Sequence, residues 1–200
     1  MTAARPWANR LLRYRLVQPD ARSCGAASLV MGRAVRDEAY AELLVTGTHP
    51  RTGWQLPGTA HERFRAETLA MHARVTGPAD LAGRLQAPWP RMLGTPPWAV
   101  ARQLSAHGRA YGVRQALVGR DRLLRQVLSE LDLGEPVALY VGDRWAPRHV
   151  VLAVRADDSG GFWVFDPGAG RRRPVTQDEF VSGRLPLGRW SRPWCAVLPR

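Results

Sequence analysis

The sequence predicts an α+β fold in which helices come first and an antiparallel sheet follows. Apolar residues recur with a helical period from Cys24 onward, whereas short apolar runs bounded by turn residues fill the last third. The length of 200 residues, 45% of them hydrophobic, suits one domain with a sizeable core. We therefore expect a single domain over residues 1–200, with a helical half over about 1–133 and a sheet half over about 134–200.

The helical half begins with a basic segment, residues 1–22, that has no period and predicts an irregular lead-in. From Cys24 the apolar residues follow the spacing of one helix face, which predicts a helix to about Leu44. Segments rich in Gly and Pro, residues 46–60 and 87–97, predict loops. The remaining patterns predict helices near 61–75, 97–107 and 120–132 and an extended segment over 110–118.

The sheet half contains four short apolar runs that predict strands, over 136–141, 149–154, 161–165 and 194–198. The hairpin signal 157–160 joins the second run to the third, so residues 149 and 166 should lie at the same end of neighbouring strands. Thr176 and Glu179 have the spacing of a capping box and predict a short helix.

The charge of the chain is strongly basic, with 29 basic and 17 acidic residues and a net charge of +12. Every basic residue is Arg, Ile is absent and Asn9 is the only Asn, a composition typical of a GC-rich genome of the actinobacterial type. The charge favours acidic partners. The Arg residues are scattered without an aromatic-interleaved stripe, which argues against nucleic acid as the main partner.

The run 171–173 predicts a solvated turn; the alternative places it beside a cleft, where it would favour an acidic substrate.

The location and the cofactors follow from what the sequence lacks. The sequence has no run of ~18 apolar residues, so we expect no membrane span. Arg residues interrupt the first thirty positions, so we also expect no signal peptide and a cytoplasmic protein. Export by a dedicated secretion system is the alternative. The only cysteines, Cys24 and Cys195, are too few for a disulfide scaffold or a zinc site. We expect reduced thiols, no metal and no cofactor.

Cys24 is the first candidate for chemistry, because it stands where a loop turns into a helix. A helix N-terminus favours the thiolate, which is the nucleophilic form. Gly25 beside it allows another segment to approach closely. The alternative interpretation is a buried, inert cysteine that opens a core helix. Cys195, between Trp194 and Ala196 on a predicted strand, is expected to be buried and inert.

Three polar residues complete the candidate site. His149 at the head of a strand suits a general base and then a general acid, or is a surface histidine at a strand end. Asp166 would orient the imidazole, and it also starts an Asp-Pro-Gly turn, which is compatible with that role. Gln18 would join the Cys24 backbone N–H in an oxyanion hole, or is a polar loop residue.

Together these motifs resemble the papain-like cysteine peptidase superfamily. The resemblance rests on segments 18–29 (QPDARSCGAASL), 148–152 (RHVVL) and 165–170 (FDPGAG). Within the superfamily the chain looks most like a stand-alone member of the C39-like branch, which cleaves double-glycine leader peptides from bacteriocins. The resemblance implies a papain-like fold with the nucleophile at a helix start. It also implies a catalytic Cys24, His149 and Asp166, with Gln18 as the oxyanion donor.

The expected function is a cysteine peptidase-like hydrolase that cleaves a peptide or amide bond through an acyl-enzyme, acting on a peptide or protein substrate. The same residues would also serve an acyl transferase or deamidase of the toxin or effector type, because the nucleophile and the oxyanion hole are common to all. A catalytically silent binding module that keeps the fold is a third hypothesis, and a basic binder of nucleic acid or acidic partners is a fourth.

Overall fold

The computed structural model describes residues 5–80, 83–87, 89–90, 92, 94–106, 108–116 and 119–200. Helices precede most of the strands in the chain, as the two hydrophobic periods predict. The helices of this part are α1 (Pro6–Leu11), α2 (Cys24–Arg36), α3 (Glu38–Thr46), α4 (Ala60–Thr76), α5 (Pro97–Ser105), α6 (Arg120–Asp132) and α7 (Gln177–Ser182). The strands are β1 (Tyr111–Gln115), β2 (Val137–Gly142), β3 (Pro147–Ala156), β4 (Phe162–Asp166), β5 (Arg171–Val175) and β6 (Arg192–Pro199).

The described strands form one antiparallel sheet in the order β1-β6-β2-β3-β4-β5. Strands β2, β3 and β4 are neighbours along the chain and in space, as expected for hairpins. Strand β6 returns from the end of the chain to lie between β1 and β2. Because β1 precedes residue 134, the sheet draws on both predicted halves of the chain.

The sheet is covered on both faces, since alternate residues of each strand point to opposite sides. Tyr140, Leu152 and Phe165 face a core that they share with α1 to α5, which we call the helix-side core. Leu139 and Val151 face a second core, shared with α6 and α7. The predicted α+β fold, with Cys24 at the start of a helix packed on a largely C-terminal antiparallel sheet, is confirmed.

Helix α2 is the centre of the helix-side core. Every residue from Cys24 to Gly32 is buried, as expected for a helix enclosed on all sides. The predicted continuous helix from Cys24 to Leu44 is wrong, because the chain breaks at Asp37, which is extended with φ −122° and ψ 98°. The Asp37 carboxylate accepts the backbone N–H of Tyr40 and so caps α3.

Two further segments differ from the sequence prediction. The lead-in contains α1, which begins at Pro6 and buries Ala8 and Leu11. The run 171–173 is not a turn but the start of strand β5, which pairs with β4 so that Arg171 lies opposite Asp166. No helix in the described residues has the length and apolar character needed to cross a membrane.

Candidate active site

Cys24 is the first residue of α2, where a loop with its own hydrogen bonds turns into the helix. The Ser23 hydroxyl donates to the Asp20 carbonyl oxygen at 3.2 Å, and the Asp20 carboxylate accepts the Arg22 backbone N–H at 2.8 Å. The first backbone N–H groups of a helix have no partner within it. The Cys24 thiol therefore lies at the positive end of the α2 dipole, with backbone donors beside it.

His149 and Asp166 meet at the end of the β3–β4 pair. The His149 Nε2 atom lies 2.8 Å from Asp166 Oδ1, and both residues are buried. The same Asp166 oxygen accepts the backbone N–H of Gly168 at 2.9 Å and of Ala169 at 3.3 Å. The turn after β4 therefore fixes the carboxylate, and the carboxylate fixes the imidazole.

The charges of this pair follow from its contacts. Burial by itself lowers the pKa of His149, but hydrogen bonds to Asp166 and Cys24 and the charges of both residues outweigh it and raise the pKa to about 9. Burial by itself raises the pKa of Asp166, but the hydrogen bond and charge of His149 and the two backbone N–H groups lower it below its ordinary value. At neutral pH the pair is imidazolium and carboxylate.

The Cys24 thiol lines the same cleft as this imidazole, and Cys24 is among the groups that raise the pKa of His149. Since Nε2 is taken by Asp166, the ring nitrogen left for the thiol is Nδ1. The structure thus brings together three of the four residues singled out from the sequence, in the order thiol, imidazole, carboxylate.

Gln18 lies at the edge of this arrangement. Its backbone N–H donates to the Pro167 carbonyl at 2.9 Å, which ties it to the turn that holds Asp166. Its side-chain Nε2 donates to the Asp20 carbonyl at 2.5 Å, and its Oε1 is buried without a described partner. Gln18 is not among the residues that line the cleft at Cys24. The amide nitrogen carries two hydrogens, so one donor is left beyond the bond to Asp20.

The cleft at Cys24 has a volume of about 350 Å³ and a wall of mixed polar and apolar character. It is lined by Ala21, Arg22, Cys24, Trp89, Met92, Gly94, Thr95, Pro96, Pro97, Tyr140, Pro147, Arg148, His149 and Val150. A second depression of about 430 Å³, which includes Leu69 and His72, shares Ala21 and Arg22 with this cleft. No local pattern in the sequence predicts this lining, because its residues come from the loop over 87–97 and from strands that are distant along the chain.

Thr95 closes one side of the cleft by packing directly on Gly25. A Cβ added to Gly25 would lie 2.6 Å from Thr95 Cβ, so only glycine fits there. The Tyr140 hydroxyl holds the segment in place by donating to the Thr95 carbonyl at 2.8 Å. Burial, and then the charges of Cys195 and Cys24, raise the pKa of Tyr140 well above its ordinary value, so it stays a neutral donor. The prediction of a close approach at Gly25 is confirmed.

The basic run 171–173 lies beside Asp166 rather than in the cleft lining. Arg173 Nε is 3.7 Å from Asp166 Oδ2, which places a cation beside the carboxylate in addition to His149 and the two backbone N–H groups. Arg171 and Arg173 have the spacing of residues on one face of a strand, but a run of three arginines hides this pattern in the sequence.

Cys195 lies in β6 and is buried, as predicted. Burial raises the pKa of its thiol to about 12, so it is protonated at neutral pH. Among the described residues, no three His, Cys, Asp or Glu side chains group closely enough to hold a metal ion.

Comparison with known proteins gives distant structural likenesses only. The peptidase domain of Streptococcus ComA, a bi-functional ABC transporter involved in a quorum sensing pathway, is 13% identical with a TM-score of 0.47, over 92% of this chain and 97% of that chain. The peptidase domain of Streptococcus mutans ComA is 12% identical with a TM-score of 0.42, over 94% and 99%. The Pseudomonas avirulence protein AvrPphB is 12% identical with a TM-score of 0.42, over 88% of each chain. No protein-family model and no curated protein matches the chain.

Proposed function

We propose that the protein is a thiol-dependent hydrolase that cleaves a peptide or amide bond through an acyl-enzyme. The observation that carries the proposal is the position of His149, which pairs with Asp166 at 2.8 Å and lines the same cleft as Cys24 at the start of α2. We infer further that residues 1–200 form one domain of the papain-like superfamily, with the C39-like branch as the nearest resemblance.

In the first half-reaction the Cys24 thiolate attacks the carbonyl carbon of the scissile bond and forms a carbon–sulfur bond. The negative charge that develops on the carbonyl oxygen is met by the Cys24 backbone N–H at the helix start. We infer a second donor in the amide of Gln18, which would have to turn from the Asp20 carbonyl at the edge of the site toward the cleft. The imidazolium of His149 then gives its proton to the leaving nitrogen, the carbon–nitrogen bond breaks and a thioester remains.

In the second half-reaction water takes the place of the amine. The neutral His149 accepts a proton from the water, whose oxygen attacks the thioester carbon. The carbon–sulfur bond breaks, the thiolate of Cys24 returns and the acid is released. Asp166 stays ionised throughout and stabilises the imidazolium each time it forms.

The shape of the surface favours a peptide over a small amide. The cleft at Cys24 and the depression beside it share Ala21 and Arg22, so an extended chain can lie across both. Trp89 and the prolines of the lining offer apolar contacts. Arg22 is exposed on the ridge between the two and favours an acidic side chain.

The test is incubation of the protein with a library of peptides derived from a cell extract, followed by mass spectrometry of new termini, with Cys24→Ala as the control. We expect new termini with the wild-type protein only, and a thioester adduct on Cys24 after rapid acid quenching. Conversion of Gln to Glu without cleavage would identify a deamidase, and a new amide would identify an acyl transferase. Peptides that bind but remain intact in both proteins would favour the silent binding module.

A further inference from the structure

A further cavity, distinct from the cleft at Cys24 and from the depression beside it, lies between α1, the end of α6 and strands β3 and β5. Its volume is about 230 Å³, and none of the residues of the candidate active site lines it. Drug-sized ligands occupy sites of ~300–1,000 Å³, so this cavity suits a smaller molecule. Nothing in the proposed hydrolysis uses it.

Apolar side chains form one part of the cavity wall. Leu12, which follows α1 directly, and Val35, Leu131 and Val154 of α2, α6 and β3 belong to this wall. The first three are buried and belong to the two cores on either side of the sheet, so the surface is part of the rigid packing. An apolar chain placed on it gains free energy by leaving water.

The rim of the cavity is cationic. Arg5, Arg155 and Arg172 contribute to the lining, and no ion pair to any of them occurs among the described residues. Arg5 Nη1 donates to the Gly134 carbonyl at 2.9 Å, which fixes its guanidinium at the rim. The Arg172 guanidinium lies 5.7 Å from the centre of the Trp163 ring and keeps its N–H donors for a ligand.

These cations act on one another. Burial, and then the charges of Arg155 and Arg13, lower the pKa of the Arg172 guanidinium. In the hairpin after β3, hydrogen bonds from Ser159 lower the pKa of Asp157, and the charge of Arg155 lowers it to a smaller extent. Arg155 and Asp157 do not form an ion pair among the described residues. Like charges around one cavity repel one another, and an anion bound between them would relieve the repulsion.

We propose that this cavity binds a small amphipathic anion, a carboxylate on a short apolar chain. The chain would lie on Leu12, Val35 and Val154, and the carboxylate would accept from Arg155 and Arg172, whose planar forks match its geometry. An inorganic anion would leave the apolar surface wet, and a neutral apolar molecule would leave the arginines without a partner. Both a short fatty acid and an apolar C-terminal residue of a peptide have this chemistry.

The test is calorimetric titration of the full chain with octanoate and with N-acetyl-leucine, with 1-octanol and inorganic phosphate as comparison probes. We expect saturable binding of one ligand per chain for at least one carboxylate, at least tenfold tighter than octanol or phosphate, since a charge-assisted hydrogen bond is worth about a factor of ten or more. The tighter of the two carboxylates identifies the source. Equal affinity for octanol, or no saturable binding, would overturn the proposal.

Variants locate the binding. Arg172→Gln and Arg155→Gln should each weaken it about tenfold, while Arg171→Gln should leave it unchanged, because Arg171 is exposed on the same strand and does not line the cavity. Equal loss with Arg171→Gln would show non-specific attraction and refute the site. Should a variant fail to fold, methyl NMR of the wild-type chain decides: octanoate must shift the signals of Val35, Leu131 and Val154. This test needs no activity at Cys24, so it can fail or succeed independently of the proposed hydrolysis.

Discussion

The two cysteines of the chain, one at the start of α2 and the other in the middle of β6, are buried to nearly the same extent. Cys24 and Cys195 are each 6% exposed, and both belong to the helix-side core. Both also act on Tyr140, which pairs with Cys195 across the β2–β6 ladder. By exposure alone the two thiols are indistinguishable.

Their neighbours differ. Cys24 opens a helix and interacts with His149, and it lines a cleft. Cys195 lies within a strand bounded on both sides by other strands, and burial raises the pKa of its thiol to about 12 with no compensating partner. The two thiols therefore differ in their neighbours and not in their exposure, and the proposed function assigns the nucleophile to Cys24 because of its helix terminus and its charged neighbour.

The largest effect expected is on turnover. Cys24→Ala should reduce hydrolysis of any peptide found in the library screen by on the order of 10³-fold or more, because the nucleophile is lost. Cys195→Ala should retain most of the activity, and it serves as the matched control. The rates are compared at equal concentrations of folded protein; equal loss in both variants would contradict the assignment of Cys24 as sole nucleophile.

The next largest effect is expected from a variant that weakens the charged neighbour of Cys24, so that the surroundings of Cys24 become more like those of Cys195. Asp166→Asn removes the carboxylate that raises the pKa of His149, so the imidazole should titrate well below about 9 in an NMR experiment. Turnover should fall by roughly 10²–10⁴-fold, as when an orienting carboxylate is lost elsewhere. Asp158→Asn, in the exposed hairpin turn, is the control. An unchanged His149 titration in Asp166→Asn would refute the orienting role.

The third effect is on stability. The folded-state pKa of His149, about 9, lies above the ordinary 6.5, so protonated His149 stabilises the fold. That contribution is fully present below about pH 6.5 and is lost as the pH rises through about 9. The free energy of unfolding of wild type minus that of His149→Gln should therefore be larger at pH 6 than at pH 10, by on the order of 3 kcal/mol. Urea unfolding at both pH values measures it, and a difference independent of pH would contradict the raised pKa.

The smallest effect tests the neighbour that the two cysteines share. Tyr140→Phe keeps the ring but removes the hydroxyl that donates to the Thr95 carbonyl. The buried carbonyl loses its partner, so we expect a loss of about 1 kcal/mol in the free energy of unfolding. Thermal unfolding checks it. No loss would mean that the bond does not hold the segment over Gly25.

Sequence patterns predicted α4, α6 and the β2–β3–β4 hairpins well, because the apolar period and the turn residues there are local signals. They also predicted that His149 and Asp166 share one end of a strand pair, since a hairpin requires it. The break at Asp37 was missed because apolar residues continue with helical spacing on both sides of it.

The features that remained hidden depend on long-range packing. Strand β5 was hidden because three successive arginines look like a solvated turn, and only its pairing with β4 makes it a strand. Thr95 and Tyr140 come from distant segments, and their meeting at Gly25 has no local signature. The placement of Gln18 against Asp20 was equally beyond the sequence, because a side-chain hydrogen bond in a loop leaves no periodic pattern.

Activation of Cys24 by its neighbours can be measured by iodoacetamide labelling of the folded protein across pH, read by mass spectrometry at each cysteine separately. We expect Cys24 to be labelled at pH 7 much faster than free N-acetylcysteine, whereas Cys195 should stay unlabelled until the protein unfolds. Labelling of Cys24 no faster than that of free N-acetylcysteine, or at the same rate as Cys195, would contradict it.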